Sequence, residues 1–310
     1  DFETASTLLQ QQLQHDIPII GAICTDITRQ KSKRIRPLLL LLSARALGYK
    51  NQQHCHLAMA LELIHNATLL HDDVVDVSLT RRGEPSAHIK WSNAKAVLCG
   101  DFLYAQAFEV LSSIEQHKAI AILTKTMSHL AQGEVEQMLA VEKSNLDKEG
   151  YLAIINAKTA SLFEVAAHLS AEISPGTLAE KAAIVKYCKA LGMAFQIIDD
   201  LLDYYANKSQ MGKNAGDDLI EGKITLPLIL AFEQASPKEH AFLKKAIRQK
   251  KNRHLKKVIE IFNHYRIYEQ TINYAKKYTK EAIDALSVLE ESPYKSSLIA
   301  LAHFTTQRDF

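Results

Sequence analysis

The sequence predicts an all-α protein, and three observations support that prediction. Apolar residues recur almost throughout the 310-residue chain at the spacing that places them on one face of a helix. Runs that alternate polar and β-branched residues are missing, and so are Asn-Gly hairpin turns. Only 11 glycines and 7 prolines interrupt the chain. Long helices joined by short turns are therefore expected.

The helical spacing is clearest in two stretches of the chain. Two apolar stripes mark them: Leu57, Leu61, Ile64 and Thr68, and Leu191, Phe195, Ile198 and Leu202. Breaks between helices are expected where glycine, proline and small polar residues cluster. These breaks lie at 31–37, 48–52, 80–85, 142–147, 174–177, 206–223 and 236–238. Because none of them is long or low in complexity, we expect a single domain over residues 1–310.

Composition and charge exclude several classes of protein. The chain is 47% hydrophobic with a net charge of +2, so no global field favours nucleic acid as a partner. The longest leucine run meets Arg45 too soon to span a bilayer. The first residues lack the pattern of a signal peptide. Four cysteines without a CxxC pair indicate reduced thiols, and we expect a cytoplasmic protein. They are Cys24, Cys55, Cys99 and Cys188.

Two acidic clusters with the same DDxxD spacing stand out from this background. The first consists of Asp72, Asp73 and Asp76, and the second of Asp199, Asp200 and Asp203. Residues four apart on a helix differ by only about 40° in direction, so the outer aspartates of each cluster share a face. Their oxygens can reach one cation. Magnesium suits them because it takes hard oxygen ligands and shares them with substrate phosphates.

A single DDxxD is more often a solvated helix turn than a metal site. Here each copy follows a strongly apolar stretch, "ATLL" or "MAFQII", which argues against a solvated face. Two acidic helices that face each other repel unless cations and a ligand lie between them. The pair of clusters therefore predicts a site that metals and a polyanion share.

Basic residues near the ends of predicted helices indicate the charge of that ligand. Lysine binds phosphate as a point charge and arginine as a bidentate fork. The candidates are Lys33, Arg34, Arg36, Arg81, Arg82, Lys158, Lys213 and Lys223. Any one of them alone would be read as a surface charge, but their recurrence in short motifs favours phosphate binding. The cations of 244–257 lack such a setting and are read as a solvated helix face.

With these motifs in order, the sequence resembles the trans-isoprenyl diphosphate synthases, most closely the bacterial octaprenyl branch. The resemblance runs from Lys33 nearly to the end of the chain. The motifs that carry it are "KRIRP", "IHNATLLHDDVVD", "RRG", "GDFLYAQAF", "QGEVEQM", "AKTASLFE", "FQIIDDLLDY" and "GKNAGDDLIEGKITLP". It implies an all-α class I isoprenoid synthase bundle around a central active-site cavity.

The resemblance also implies a reaction and its cofactor. Isopentenyl diphosphate would be condensed repeatedly onto an allylic diphosphate such as farnesyl diphosphate, giving octaprenyl diphosphate for quinone side chains such as that of ubiquinone. Three magnesium ions per site, once diphosphate is bound, would stabilise the departing pyrophosphate. No protein nucleophile is required. A homodimer is implied, as is transient membrane contact when the apolar product leaves.

Residue roles follow from the resemblance motif by motif. The six clustered aspartates would hold the metals. The allylic diphosphate would be contacted by Arg81, Lys158, Lys213 and Lys223. Thr159 and Gln196 would place oxygen dipoles near the carbocation. Isopentenyl diphosphate would be held by Lys33, Arg36, His65 and Arg82. We expect His71 to pack or hydrogen-bond locally. One departure is Lys31-Ser32, where the family usually has Gly-Gly, since glycine lets backbone approach a ligand closely.

Chain length is assigned to the helix that carries the first cluster. Small residues at Ala67 and Thr68, about one turn before Asp72, would leave a tunnel open, with Ile64 lower on that face. Met138 is a candidate for the tunnel floor. Close helix packing is the alternative reading of the small residues.

Three rival functions stay open at this point. A shorter- or longer-chain prenyl diphosphate synthase would carry the same motifs. A terpene cyclase or head-to-head synthase usually replaces the second DDxxD, which is intact here. A non-catalytic subunit of a heteromeric synthase commonly loses acidic or basic site residues, whereas this chain retains them.

Overall fold

A computed structural model describes residues 1–29, 34–81, 83–143, 146–205 and 216–307 of the chain. These residues are almost entirely helical, which confirms the all-α prediction. They form two compact units. Unit 1 comprises 1–125, 162–185 and 288–298, and unit 2 comprises 126–161, 186–287 and 299–310. Each unit is built around its own buried helices. The expectation of a single domain stays a prediction.

Residues 1–173 contain nine α-helices and one short hairpin among their described positions. The helices are α1 Phe2–Gln12, α2 Pro18–Arg29, α3 Ile35–Ala46, α4 Gln53–Val75, α5 Ala87–Lys90, α6 Asn93–Ser113, α7 His117–Lys143, α8 Lys148–Ile155 and α9 Ser161–Ile173. The strands β1 Thr80–Arg81 and β2 Glu84–Pro85 pair antiparallel. A π-helical turn, Asn156–Ala160, joins α8 to α9.

From residue 178 on, helices are the only regular secondary structure among the described residues. These helices are α10 Leu178–Tyr205, α11 Asp217–Glu221, α12 Leu226–Gln234, α13 Pro237–Gln249, α14 Leu255–His264, α15 Ile267–Ala285 and α16 Pro293–Thr306. Short 3-10 turns precede α14 and follow α15, at Asn252–His254 and Leu286–Val288.

Helix α4 is the centre of unit 1. It packs against α1, α3 and α6, and its apolar stripe from Leu57 to Ile64 is fully buried. Thr68, the last position of that stripe, is only 5% exposed. The periodicity therefore correctly identified the buried face of α4. Burial of this many apolar side chains stabilises unit 1 through the hydrophobic effect.

Helix α10 has the same role in unit 2. Ile198 and Leu202 are buried with Tyr204 and Phe262, whose rings meet edge to face at 5.0 Å. Leu226 and the apolar face of α14 close this core. Both acidic clusters thus follow buried helix faces, as their apolar flanks predicted.

Several predicted breaks are confirmed. Residues 48–52 separate α3 from α4, and 174–177 separate α9 from α10. Gly48 adopts a φ of 81°, which glycine tolerates without the Cβ clash that other residues suffer. At 236–238 a capping box on Ser236 and a proline in the first turn begin α13. Parts of the other four predicted breaks, at 31–33, 82, 144–145 and 206–215, lie outside the described residues.

The structure also tests the expectations about the cysteines, membrane-spanning helices and surface cations. All four cysteines are free, in agreement with the predicted reduced thiols, and all four are buried. Across the described helices, none combines the length and the apolar character needed to cross a bilayer. The cations of 244–257 are exposed on α13, α14 and the turn between them, as expected for a solvated face.

Candidate active site

The first acidic cluster lies at the C-terminal end of α4. Asp72 and Asp73 occupy its last turn, and Asp76 caps it, with its amide donating to the Asp72 carbonyl at 2.8 Å. Asp72 and Asp76 are half-buried, whereas Asp73 is only 1% exposed. The two outer aspartates are therefore partly exposed to solvent, and the middle one is buried inside unit 1.

The cation that neutralises the buried Asp73 is Arg81. Its Nε donates to both Asp73 carboxylate oxygens, at 2.8 and 2.9 Å. The hairpin of β1 and β2 brings Arg81 back to α4. Burial lowers the pKa of the Arg81 guanidinium, but the hydrogen bond and charge of Asp73 and the two neighbouring aspartates outweigh it, so the pKa is raised. Arg81 was expected to contact the allylic diphosphate, and that role stays a prediction.

The position of this cluster concentrates negative charge at the C-terminal end of α4. The C-terminal end of a helix carries a partial negative charge, which destabilises carboxylates by about 0.3–1 kcal/mol each. No basic residue lies in the last turn of α4, and Arg81 is engaged by Asp73. A divalent cation bound at Asp72 and Asp76 would relieve this repulsion, and the metal-ligand role of the two residues stays a prediction.

His71 packs locally, as expected. Its Nε2 lies 3.0 Å from the Val97 carbonyl oxygen, and its ring meets Tyr104 edge to face at 5.5 Å. Gly100 makes this packing possible, because a Cβ there would lie 2.3 Å from the His71 Nε2. Asp101, the next residue, is 3.4 Å from the same nitrogen. The "GDFLY" motif thus supports the helix turn that precedes Asp72.

Two of the residues expected to hold isopentenyl diphosphate lie together in unit 1. Arg36 Nη1 is 3.0 Å from His65 Nε2. Arginine can only donate, so His65 accepts through Nε2 and carries its proton on Nδ1. The Arg36 guanidinium also lies over the Phe163 ring, 5.0 Å from its centroid. Arg34, by contrast, donates to Ser6 Oγ at 2.8 Å.

The second acidic cluster lies in the last two described turns of α10. Asp199 is half-buried, and Asp200 and Asp203 are 6% and 8% exposed. The Asp203 carboxylate accepts from the Asp218 backbone amide at 3.1 Å. The Asp203 carbonyl accepts from Gly216 at 2.8 Å. The "GDD" segment that begins α11 is therefore tied to the end of α10.

Asp200 is the most enclosed member of its cluster. The Tyr151 hydroxyl donates to Asp200 Oδ2 at 2.6 Å, and Gln196 Nε2 donates to Oδ1 at 2.6 Å. Burial raises the pKa of the Asp200 carboxyl well above its usual range, and the charge of Asp218 adds to the rise. Asp200 thus lies in a polar network rather than on an open face.

Thr159 and Gln196, which were both expected to place oxygen dipoles near the carbocation, are in direct contact. The Thr159 hydroxyl donates to Gln196 Oε1 at 2.7 Å. Thr159 sits in the π-helical turn, and π turns occur frequently at functional sites because they shift the side-chain register of a helix. The extra residue of this turn lets adjacent positions meet partners on different helices.

Lys158, the neighbour of Thr159, is held by α7. Its Nζ lies 2.7 Å from the Glu134 carboxylate and 2.9 Å from Gln137 Oε1. Gly133 allows this approach, because a Cβ there would lie 2.8 Å from the Ala157 Cβ. The "QGEVEQM" motif thereby supplies both a close contact between helices and two acceptors for the lysine.

The remaining basic candidates divide into two groups. Lys223 follows the C-cap Gly222 of α11, and its Nζ is 2.6 Å from Glu221 Oε2. Lys33, Arg82 and Lys213 lie outside the described residues, as does the Lys31-Ser32 pair. Their assignment to diphosphate binding stays a prediction.

Three of the four residues expected to control product length are buried side chains on α4. Ile64 and Ala67 are fully buried, and Thr68, whose hydroxyl donates to the His65 carbonyl, is 5% exposed. This burial matches close helix packing, so the tunnel role of the face stays a prediction. Met138 is 49% exposed on α7. Such exposure in a single chain disfavours Met138 as the floor of an enclosed tunnel.

Another group of metal-ligand atoms lies away from both clusters. Asp1, His54 and Cys55 offer atoms within 4.8 Å of one another. Both carboxylate oxygens of Asp1, however, accept from Arg45 at 2.8 Å. The fixed positive charge of Arg45 repels a cation from this group.

Sequence reasoning missed residues that touch the expected site residues. Tyr151 binds Asp200, Glu134 holds Lys158, and Asp218 meets Asp203. Glu134 and Asp218 lie inside motifs that were recognised but were given no role. Tyr151 lies on α8, before the "AKTASLFE" motif. Only its place on the buried face of α8 could have identified it as a residue near the site.

Unit 1 thus carries an acidic cluster paired with Arg81, and unit 2 carries a second cluster, with Lys158 next to Thr159 of the hydrogen-bond network around Asp200. The chain matches the family model described as Polyprenyl synthetase over residues 17–264. A relative named octaprenyl diphosphate synthase in Haemophilus influenzae is 40% identical, over 100% of this chain and 94% of its own length. The protein of that name in Escherichia coli K12 is 41% identical, over 100% and 96%.

Solved structures give the same picture of similarity. A polyprenyl synthase from Caulobacter crescentus, complexed with calcium and isoprenyl diphosphate, has a TM-score of 0.95 and 38% identity. The match covers 99% of this chain and 94% of that one. A decaprenyl diphosphate synthase from Rhodobacter capsulatus has a TM-score of 0.92 at 35% identity, covering 99% and 95%.

Proposed function

The chain belongs to the polyprenyl synthetase family, and on that premise we propose that it makes a long-chain trans-polyprenyl diphosphate. It is a prenyltransferase that adds isopentenyl diphosphate repeatedly to an allylic diphosphate. The observation that carries this proposal is the retention of both acidic clusters in a chain about as long as its octaprenyl relatives. Octaprenyl diphosphate, used for a quinone side chain such as that of ubiquinone, is the proposed product.

Magnesium is the proposed cofactor, with three ions per site when diphosphate is bound. Asp72, Asp76 and Asp199 are half-buried and open to such ions. Asp73, Asp200 and Asp203, which are 1%, 6% and 8% exposed, complete the six proposed ligands. When bound, the magnesium ions would neutralise charge on the departing pyrophosphate. The calcium in the related Caulobacter structure supports a divalent cation here.

The basic residues are proposed to divide between two diphosphates. Lys158, Arg81, Lys213 and Lys223 would hold the allylic diphosphate, and Lys33, Arg36, His65 and Arg82 would hold isopentenyl diphosphate. Lys158 is already kept on one side of the π-helical turn by Glu134. A charge fixed in this way stabilises developing negative charge without reorganising when the bond breaks.

The chain's own groups act on the carbocation that remains. The oxygens of Thr159 and Gln196 would direct the negative ends of their dipoles toward it. Isopentenyl diphosphate attacks the cation, and the proton that is lost goes to the released pyrophosphate. This route uses no protein nucleophile. The small side chains of Ala67 and Thr68 are proposed to let the product extend past α4, which supports a long chain.

A homodimer is the proposed assembly. Val135, Met138 and Leu139 are 56%, 49% and 46% exposed and share one face of α7, since they are three and four residues apart. A second copy covering this face would remove that apolar surface from water. The protein is proposed to act in the cytoplasm as one catalytic domain and to touch the membrane when its apolar product leaves.

The direct test is product analysis. The purified chain is incubated with farnesyl diphosphate, isopentenyl diphosphate and magnesium, and the products are separated by chain length after dephosphorylation. The proposal predicts a dominant product of eight isoprene units that disappears on chelation of the metal. A product of another single length would support the enzyme class but refute the octaprenyl assignment. No condensation at all, with a folded protein, would refute catalysis.

A further inference from the structure

A buried tyrosine outside every recognised motif contacts the second acidic cluster. Tyr151, on α8, is 2% exposed, and its ring belongs to the apolar core of unit 2. Its hydroxyl donates to Asp200 Oδ2 at 2.6 Å. The core accounts for the ring of Tyr151, but the core does not require a hydroxyl. A phenylalanine would fill the same volume without burying a polar group.

The bond from Tyr151 belongs to a chain of four side chains. Asp200 also accepts from Gln196 Nε2 at 2.6 Å, and Gln196 Oε1 accepts from the Thr159 hydroxyl at 2.7 Å. The four residues come from α8, the π-helical turn and α10, all within unit 2. The two hydroxyl bonds have the usual O–H···O length, and the bond from the Gln196 amide is short.

Donor and acceptor chemistry sets the direction of this chain. Both Asp200 oxygens accept, Oδ2 from the Tyr151 hydroxyl and Oδ1 from Gln196, so the group of Gln196 that faces Asp200 is the amide nitrogen. Its carbonyl oxygen must then face Thr159, which uses its single proton on that oxygen. The Thr159 oxygen keeps its lone pairs for another partner. Rotating the amide by half a turn would set its oxygen against an Asp200 oxygen and lose that bond, and Thr159 could then only accept from the amide nitrogen.

The sign of these dipoles matters for a reaction that passes through a carbocation. Oxygen lone pairs stabilise a nearby positive charge, whereas N–H groups destabilise it. We propose that Tyr151 is a positioning residue, which acts through Asp200 to hold Gln196 and Thr159 in the orientation that presents oxygen to the allylic cation. This inference rests on the proposed function. It adds to that function a residue, Tyr151, that touches neither substrate nor metal.

A purely structural role for the Tyr151 hydroxyl makes a different prediction. If the hydroxyl only satisfies the buried Asp200, its loss should lower stability and leave the chemical step alone. If it positions Gln196, its loss should lower kcat while substrate binding is kept. The loss of kcat should also disappear in a variant that lacks the Gln196 amide. A double-mutant cycle separates these two readings.

The experiment compares Tyr151→Phe with Tyr187→Phe, which alters another fully buried tyrosine of unit 2. Steady-state kinetics are measured with both diphosphates and magnesium. We expect Tyr151→Phe to lower kcat about ten-fold, the effect of one hydrogen bond to a charged group. KM for both substrates should stay within about two-fold of wild type. Tyr187→Phe should leave kcat within about two-fold.

The decisive step repeats Tyr151→Phe in a Gln196→Met background. Positioning through Gln196 predicts less than a two-fold further change in kcat there. A full, additive ten-fold loss in that background would overturn the proposal, as would a kcat for Tyr151→Phe equal to that of Tyr187→Phe. Melting temperatures of all variants check folding. If wild type itself fails to condense the two diphosphates, the proposed function fails; an active wild type with additive variants refutes only the role of Tyr151.

Discussion

The guanidinium of Arg81 forms an ion pair with Asp73, the middle carboxylate of the first acidic cluster, with Nε 2.8 Å from Oδ1. The short hairpin that follows α4 brings the Arg81 guanidinium back to the end of that helix. A carboxylate that is 1% exposed is thereby neutralised, whereas Asp72 and Asp76 on either side of it are only half-buried.

Breaking this pair from one side should be costly. Arg81→Met leaves Asp73 buried without its cation, and we expect a loss of about 3 kcal/mol in the free energy of unfolding. Urea denaturation with circular dichroism measures it. The control is Lys280→Met, which breaks an exposed pair with Asp284 and should cost less than about 1 kcal/mol. Equal losses in the two variants would show that the buried pair is not important for stability.

The close contact at Gly133 should affect the position of Lys158, and hence substrate binding, more than the stability of the fold. Gly133→Ala places a Cβ 2.8 Å from the Ala157 Cβ, so α7 and the π-helical turn must separate. We expect KM for the allylic diphosphate to rise about ten-fold as Lys158 shifts. Gly21→Ala is the matched control, because the nearest atom to its added Cβ is 3.8 Å away. An unchanged KM in Gly133→Ala would contradict the positioning of Lys158 by α7.

The buried His54 predicts how stability depends on acid. Burial, with the positive charge of Arg45, lowers the pKa of His54 from 6.5 to about 4. Between those values the unfolded chain binds a proton that the folded chain does not. Stability therefore falls as the pH drops from 6.5 to about 4, and this contribution levels off below that. His54→Gln should flatten the slope in that window, measured by urea denaturation, whereas the exposed His303→Gln should not. The same slope in wild type and His54→Gln would contradict this account.

Chain length gives a test of the α4 face. Ala67→Tyr should shorten the main product to about fifteen to twenty carbons, because the blocked position is only one turn from Asp72. Ala67 is fully buried, so the larger ring also costs about 1–3 kcal/mol of stability through overpacking. Ala67→Ser is the size-matched control and should keep the wild-type length. Wild-type product from Ala67→Tyr at a comparable rate would place the growing chain elsewhere.

Much of the architecture follows from local signals in the sequence. The stripes around Leu61 and Ile198 predicted the buried faces of α4 and α10, because apolar periodicity reflects burial directly. Turns that use glycine or proline, such as 48–52, were also predicted. Other turns were missed at Glu115, Lys250 and Arg266, which adopt φ values of 56°, 49° and 52°. Left-handed backbone at such residues is set by tertiary packing and has no clear sequence signature.

The candidate site was predictable only where residues lie close together in the chain. The pairing of Asp72 with Asp76 follows from helical geometry alone. The contacts of Lys158 with Glu134 and of Tyr151 with Asp200 join residues 24 and 49 positions apart. These contacts depend on how helices pack and on the π-helical turn at Asn156–Ala160. No local pattern encodes that packing.

The most direct test of the account removes one carboxylate from each cluster. Asp72→Ala and Asp199→Ala are compared with Asp284→Ala, which removes an exposed carboxylate from α15, in turnover of the two diphosphates at limiting magnesium. The account predicts that each cluster variant loses about a thousand-fold or more in turnover, because metal-assisted charge stabilisation drives the step. Helix content should be unchanged, and the metal-free melting temperature equal or higher as repulsion at the helix ends falls. The control should keep wild-type turnover. Near wild-type turnover in either cluster variant would contradict the account.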